Sequence, residues 1–314
     1  MEEKMKKKRR KWPWIVLAVL ALLVAVAAWW MRPPANTIPT ASRGSLERFP
    51  QFNSQYVQPR ELVVWLPAGY HTGDSCDVMY MHDGNMLFDA TTTWNRQEWR
   101  VDEVMDSLIG TGKIRPCIVV GIYNTDARLS EYFPTKSCQF VPEAELQDVK
   151  LEKLTADAYL RFIIEELKPF IDERYKPLTT REHTFMMGSS MGGLISLYAL
   201  CEYPQVFGGV ACLSSHLSMA LLPNGVDGEV WATAFRDYVQ AHLPKANSSL
   251  IYMDHGTRDF DADYGKYQQL LDNVITGKGW DKAHYMTCVY QGHRHRETSW
   301  AARLDQPLLF LLGR

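Results

Sequence analysis

The sequence predicts an α/β fold in which a mostly parallel central sheet carries helices on both faces. The first observation is a series of short apolar runs, each about the length of a buried strand. The second is that segments with apolar residues at helical spacing lie between most of these runs. Apolar strands that alternate with helices are typical of parallel sheets, because the helices bury both sheet faces. The third is an uncharged apolar stretch near the amino terminus, which predicts one N-terminal transmembrane helix ahead of the folded domain.

The strands and helices can be placed in chain order. The predicted strands are Glu61–Leu66, Asp77–His82, Cys117–Tyr123, His183–Gly188, Gly209–Leu213, Leu250–Asp254 and Tyr285–Tyr290. The predicted helices are Glu98–Leu108, Ala156–Leu167, Met191–Cys201, Val230–Val239, Tyr264–Val274 and Thr298–Leu312. Pro169 is expected to end or kink the helix that begins at Ala156. Because ligands of parallel sheets bind beyond the carboxyl ends of the strands, functional residues are expected directly after these runs.

Length, charge and cysteine content limit the classes of function. A chain of 314 residues can form one large core or two small ones. A net charge of −2 gives no reason to expect a nucleic-acid partner. The 6 cysteines include no C-x-x-C pattern, and therefore no typical metal motif. Cys76 and Cys138 lie in predicted loops and could pair outside the cytoplasm.

The amino terminus predicts a membrane anchor. Residues 1–11 are rich in Lys and Arg, and residues 12–31 carry no charge. A helix over 12–31 would span roughly 30 Å, about the thickness of a bilayer core. Tryptophans stand at both ends of it, as in interfacial aromatic belts. The basic cluster predicts that residues 1–11 stay in the cytoplasm and that the following domain lies on the extracytoplasmic side, periplasmic or extracellular.

A cleavable signal peptide is the alternative for this segment. Ile15–Ala28 has the length of its apolar core, and Ala25-Val26-Ala27 resembles a cleavage site, which would give a secreted protein. Two tryptophans follow directly, and no polar stretch precedes the site, so the pattern favours an uncleaved signal-anchor. Residues 32–45 are rich in Pro, Ser and Thr and predict a linker, which leaves 46–314 as the folded domain.

One serine has the surroundings of a nucleophile. Gly188-Ser189-Ser190-Met191-Gly192 fits the pattern G-x-S-x-G with Ser190 at its centre. Centring the pattern on Ser189 would put methionines at both glycine positions. The motif lies between a predicted strand and a predicted helix, where a strained turn requires small neighbours. The sequence therefore predicts that Ser190 is the reactive serine.

The residues that would activate this serine follow it in the chain. A serine hydroxyl needs a histidine as base, and the histidine needs a carboxylate to orient it. The expected order is serine, acid, histidine, and each candidate group comes directly after a predicted strand. The candidate acids are Asp259, Asp261 and Asp263, with Asp254 as a weaker one, and the candidate bases are His293 and His295.

A turn after another strand could bind the oxyanion that forms when the serine attacks a carbonyl group. Asp83-Gly84-Asn85 follows the strand that ends at His82. Backbone N–H groups of Gly84 and Asn85, together with that of Met191, could form an oxyanion hole. The alternative is an ordinary turn, for which Asp, Gly and Asn are common residues.

Five stretches of the sequence carry a resemblance to a known family: "HDGNMLFD", "GSSMGG", "DHGTRDFDADY", "HRHRETSWAARL" and "EYFPT". Through them, residues 46–314 resemble the putative esterase family of α/β-hydrolases, which includes esterase D-like enzymes, enterochelin esterases, feruloyl and acetyl-xylan esterases, and mycolyltransferases. The resemblance implies the α/β-hydrolase fold and a Ser–Asp–His hydrolase of carboxylic esters that uses neither a cofactor nor a metal.

The resemblance also assigns roles residue by residue. Ser190 matches the family's nucleophile, and His295, two residues before Glu297, matches its base. Asp261 matches relatives in which the loop reads Gly-Thr-x-x-x-Asp, whereas Asp259 has the Gly-x-x-Asp spacing of many other α/β-hydrolases, so both remain candidates. The turn that begins at Asp83 replaces a His-Gly-Gly-like loop, which leaves the oxyanion donor open.

Two alternatives to ester hydrolysis follow from the same pattern. The family contains acyltransferases, so transfer of the acyl group to a sugar or lipid at the membrane surface is the first. The second is a membrane-tethered binding domain that keeps the fold without catalysis. The expected substrate is a small-molecule or glycan-linked ester. Trp94, Trp99 and Trp231 could line an aromatic acyl pocket or pack in the core.

Overall fold

A computed structural model describes residues 37–146, 150–219 and 227–314, together with Val16, Val19 and Leu20. Apart from these last three positions, the predicted transmembrane segment 12–31 lies outside the described residues. Within the described part of the chain, no helix combines the length and the apolar character needed to cross a membrane. The signal-anchor therefore stays a prediction.

The centre of the domain is an eight-stranded sheet with the order β1-β2-β4-β3-β5-β6-β7-β8. The strands are β1 (Ser45–Phe52), β2 (Arg60–Leu66), β3 (Asp77–His82), β4 (Cys117–Ile122), β5 (Thr184–Ser189), β6 (Gly209–Leu213), β7 (Leu250–His255) and β8 (Tyr285–Val289). β1 pairs antiparallel with β2, and β2 pairs antiparallel with β4. The other six strands, β3 to β8 in chain order, are all parallel to one another. The predicted mostly parallel sheet is confirmed, and the fold is α/β-hydrolase-like.

Helices cover both faces of this sheet, as predicted. They are α1 (Val101–Gly110), α2 (Arg128–Tyr132), α3 (Ala156–Arg161), α4 (Lys168–Tyr175), α5 (Met191–Glu202), α6 (Gly228–His242), α7 (Tyr264–Gly277), α8 (Glu297–Ala301) and α9 (Asp305–Leu312). Successive residues of β3 alternate between two cores: Tyr80 packs in the cluster of α3, α5 and α6, and Met81 packs in the cluster of α1 and α9. This alternation explains why the parallel strands are apolar on both faces.

The chain stays helical through Pro169, so the prediction that this proline ends the helix is wrong, whereas a kink stays a prediction. The chain passes from α3 through a π-helical segment, Phe162–Leu167, directly into α4. Pro169 occupies the first turn of α4, where a missing N–H group is tolerated, and the wider π-helical turn comes directly before it. The predicted helix Thr298–Leu312 is also corrected, since the structure divides it into α8 and α9.

The last residues of the predicted linker contact the domain. Thr40 donates from its backbone N and its Oγ1 to Asp89, each at 2.9 Å. Ser42 donates in the same way to the buried carboxylate of Asp102, at 2.6 and 2.9 Å. β1 then starts at Ser45 and pairs with β2. The end of the segment 32–45 is therefore part of the domain surface, because two carboxylates bind it.

The two loop cysteines do not pair in this structure. Cys76 and Cys138 are both free, and 3% and 6% of their surfaces are exposed. Burial raises the pKa of each thiol to about 11. They therefore pack as small apolar side chains.

Candidate active site

Ser190 lies at a sharp turn between β5 and α5. Its backbone has φ 56° and ψ −122°, a strained conformation for a residue with a side chain. Its N–H donates to the carbonyl of Leu213 on the neighbouring strand β6, at 2.9 Å. A Cβ atom on Gly188 would lie only 2.7 Å from the backbone carbonyl of Gly192. Gly188 therefore has no room for a side chain, because the strand and the helix nearly touch there.

His295 is bonded to Asp261. The distance from His295 Nδ1 to Asp261 Oδ1 is 2.6 Å, and the carboxylate is fully buried. The other oxygen, Oδ2, accepts from Ser214 Oγ at 2.6 Å and from the backbone N of Gly256 at 2.7 Å. Burial alone would raise the pKa of Asp261, but the hydrogen bonds from His295 and Ser214 lower it. Asp261 is therefore a charged, fixed partner for Nδ1 of His295, so the other ring nitrogen, Nε2, does not face this carboxylate.

The other candidate acids lie elsewhere. The side chain of Asp259 is 43% exposed and lies 3.3 Å from Arg294 and 3.8 Å from Arg296. Asp254 is buried and forms an ion pair with Arg303 at 2.8 Å. Asp263 immediately precedes α7. Of the predicted acids, the structure brings Asp261 to His295.

The second candidate base faces a different environment. His293 Nδ1 lies 3.3 Å from the carbonyl of Ser299 and 3.3 Å from the guanidinium of Arg303. Its backbone carbonyl accepts from the N–H groups of Thr257 and Arg258. His293 therefore supports the loop in which His295 lies.

Ser190 and His295 line the same cavity, which has a volume of about 340 Å³. Trp94, Trp99 and Trp300 form its aromatic part, and the rings of Trp99 and Trp300 are 5.4 Å apart. Trp94 is 74% exposed and therefore stands at the rim. The cavity thus combines a serine, a histidine and an aromatic wall.

Trp231, the third tryptophan considered as a pocket residue, is fully buried against Phe133 in the core. It does not line the cavity. Trp231 lies in the first turn of α6 and shares the buried face of that helix with Phe235 and Tyr238.

The turn after β3 stands beside Ser190. Asp83 has φ 55° and ψ 46°, and Gly84–Met86 form one turn of 3₁₀-helix. Asn85 lines the cavity, and Gly84 is buried behind it. Met191, the third predicted oxyanion donor, is the first residue of α5. The predicted donors are thus arranged at the ends of two adjacent parallel strands.

Several cavity residues were not predicted from the sequence. Arg128 and Asn124 follow β4, and both bond to Asp83. Glu297 accepts a hydrogen bond of 2.7 Å from Asn95, and burial raises its pKa. Glu297 and Trp300 belong to "HRHRETSWAARL", one of the stretches that carry the family resemblance. Their residue types alone did not indicate a function for either side chain. Trp300 also donates to Ser214 Oγ at 3.1 Å.

The chain is similar to curated proteins and to solved structures. The chain is 24% identical over 267 residues to the uncharacterized protein YbbA of Bacillus subtilis, which covers 81% of this chain and 93% of that protein. It is 31% identical over 152 residues to a siderophore enterobactin esterase of Emericella nidulans, which covers 46% of this chain and 48% of that protein.

Two solved structures share the fold. A ferulic acid esterase superposes with a TM-score of 0.62 at 20% identity, over 86% of this chain and 98% of that chain. The enterobactin esterase FES of Shigella flexneri superposes with a TM-score of 0.61 at 19% identity, over 89% of this chain and 62% of that chain. The model of the family described as "Putative esterase" matches residues 54–311. The chain therefore belongs to the putative esterase family of carboxylic-ester hydrolases.

Proposed function

We propose that the chain cleaves a carboxylic ester through an acyl-enzyme on Ser190, with His295 as the base and Asp261 as the acid that orients it. The observation that carries this proposal is the 2.6 Å contact between His295 Nδ1 and the buried carboxylate of Asp261. Ser190 and His295 line the same cavity. Serine, histidine and acid come from the ends of three different strands, as an α/β-hydrolase requires.

The reaction has two steps. The hydroxyl oxygen of Ser190 attacks the ester carbonyl, and its proton passes to Nε2 of His295, which then gives it to the departing alcohol. In the second step water attacks the acyl carbonyl and gives a proton to His295; the acyl–Oγ bond then breaks, the carboxylic acid leaves, and the proton returns to Ser190 Oγ. Backbone N–H groups of Met191 and of the turn at Gly84 and Asn85 stabilise the negative carbonyl oxygen in both steps.

The proposed substrate is an ester with an aromatic acyl group. Relatives and structural neighbours are named for enterobactin and ferulic acid. Trp94, Trp99 and Trp300 offer ring faces for such a group. Asn124 and Glu297 on the polar side of the cavity can bond to hydroxyl groups of a small molecule or a glycan.

The proposed location is the extracytoplasmic side of a membrane, with the domain held by an uncleaved signal-anchor at residues 12–31. The basic residues that precede this apolar segment support the orientation. Secretion after signal cleavage is the alternative.

The nucleophile can be tested by replacing each of the adjacent serines. We expect Ser190→Ala to lower kcat by several orders of magnitude, because it removes the attacking oxygen. Ser189→Ala should have a mild effect, since Ser189 is the last residue of β5 and 5% exposed. Hydrolysis of p-nitrophenyl butyrate and labelling by a fluorophosphonate measure both. Normal labelling of Ser190→Ala, or its loss in Ser189→Ala, would contradict the proposal.

A further inference from the structure

An exposed phenyl ring lies beside the proposed base. Phe260 is 68% exposed, and its ring centroid is 5.7 Å from that of His295. The two ring planes are nearly perpendicular, at 82°. Tyr264 and Trp300 contact the same imidazole at 5.6 and 5.2 Å, but both are buried. Of these three aromatic rings around the histidine, that of Phe260 leaves most of its surface to solvent.

The backbone on both sides of Phe260 is attached to the loop that carries His295. Asp261, on one side, contacts Nδ1 of the histidine at 2.6 Å. Asp259, on the other side, lies 3.3 Å from Arg294 of the same loop and has a left-handed backbone, with φ 56°. A residue with a side chain keeps such a φ only where surrounding contacts fix it. The phenyl ring is therefore held beside the imidazole by its two neighbours in the chain.

The ring lies outside the cavity that binds the acyl group in the proposed function. Trp94, Trp99 and Trp300 line this cavity together with His295, whereas Phe260 does not. In the proposed first step, His295 gives a proton to the oxygen of the departing alcohol, so this oxygen lies within hydrogen-bond distance of the imidazole. The carbon atoms attached to that oxygen are then within reach of a side chain that packs on the imidazole. Phe260 is therefore positioned to contact the alcohol part of the ester.

We propose that Phe260 is a specificity-determining residue for the alcohol part: it selects an alcohol that carries an apolar group next to the ester oxygen. The inference rests on the proposed function, because His295 protonates an alcohol only if Ser190 attacks an ester. Contact between the ring and such a group removes apolar surface of both from water, which is favourable in proportion to the area covered. A methyl group is too small to cover the ring.

The test compares three esters that differ in one part at a time, with the full-length chain purified in detergent. Methyl butyrate and benzyl butyrate give the same acyl-enzyme, so a difference in kcat/KM arises while the alcohol is still present. Methyl cinnamate changes the acyl part instead. We expect Phe260→Ala to lower kcat/KM for benzyl butyrate by about 10-fold, because the loss of an apolar contact has effects of that size. Both methyl esters should react as with the wild type.

Trp94→Ala is the matched variant, because Trp94 is also a strongly exposed aromatic ring at the site but lines the cavity. It should lower kcat/KM for methyl cinnamate and leave the ratio between the two butyrates unchanged. Leu151 is an exposed apolar side chain that does not line the cavity. Leu151→Ala should therefore change none of the three rates.

A purely structural role of Phe260 would give a different result. Because Phe260 is next to Asp261, a displaced turn would lower kcat/KM for all three esters alike, and equal losses would overturn the inference. Unchanged rates in Phe260→Ala, or a loss confined to methyl cinnamate, would also overturn it. Circular dichroism checks folding. If Phe260→Ala does not fold, Phe260→Gln decides, since a wild-type preference for benzyl butyrate in that polar variant would contradict an apolar contact.

The wild type separates this inference from the proposed function. If it does not react with a fluorophosphonate, the proposed function fails, and the inference fails with it. If the wild type is labelled at Ser190 but hydrolyses benzyl butyrate no faster than methyl butyrate, the inference fails alone.

Discussion

Asp259 and Asp261 are two residues apart, but the side chain of Asp259 is exposed and that of Asp261 is buried. Both lie in one short 3₁₀-helix, Asp259–Asp263, in which three residues make a turn. Side chains two positions apart therefore leave it in different directions. Asp261 turns inward to His295 and Ser214, whereas Asp259 turns outward to Arg294.

We expect Asp261→Asn to lower kcat by several orders of magnitude. The amide keeps the shape of the carboxylate but removes its charge and favours the wrong tautomer of His295. Asp259→Asn is the matched control and should change kcat only slightly, because its carboxylate is exposed. The assay is ester hydrolysis at saturating substrate. A large loss in Asp259→Asn alone would move the orienting role to that residue.

Sequence patterns predicted the proposed nucleophile, base and acid because each directly follows a strand. They did not predict Arg128, Asn124 or Ser214. These residues act through partners distant in the chain: Arg128 is 45 positions from Asp83, and Ser214 is 47 positions from Asp261. Local periodicity and spacing do not predict a contact between residues so far apart in the chain, so the contact is visible only in the folded structure.

At the level of elements, the apolar strands were predictable to within one or two residues, because burial on both sheet faces leaves continuous apolar runs. β1 was missed, since its exposed and half-buried positions resemble a polar linker. The passage from α3 to α4 was missed because the effect of Pro169 depends on the π-helical turn before it. The edge strands of the sheet and the irregular helices thus depend on tertiary contacts, which cannot be predicted from the local sequence.

The close contact of β5 with α5 gives a prediction on stability. Gly188→Ala would put a methyl group 2.7 Å from backbone atoms of Gly192, which cannot move without displacing the turn at Ser190. We expect a loss of about 2 kcal/mol or more in the free energy of unfolding. Urea denaturation measures it.

Gly110, at the end of α1, is the matched control for this substitution. An added Cβ there has no neighbouring atom within 4 Å. Gly110→Ala should therefore change the free energy of unfolding by less than about 1 kcal/mol. Equal losses in both variants would contradict the argument from close packing.

At the level of the whole molecule, the family match and the described fold give information on the folded domain only. The side of a membrane on which this domain lies is inferred from the amino-terminal segment. We expect protease added to intact cells or spheroplasts to digest the domain but not an epitope at Met1, because a basic cluster before an apolar segment favours a cytoplasmic amino terminus. Immunoblotting of both ends measures this. A mature chain that begins near Ala28 would instead show that the segment is removed as a signal peptide.

If residues 12–31 lie in a bilayer, as proposed, the attachment of Thr40 to Asp89 limits how far the candidate active-site cavity can be from that membrane. Thr40 is nine residues beyond Met31, so the chain between them can extend about 30 Å at most. Asp89 and Asp102, which bind this segment, border the loop that contributes Trp94 and Trp99 to the cavity. The mouth of the cavity would then stay within a limited distance of the lipid surface. An ester fixed farther from the membrane would be out of reach.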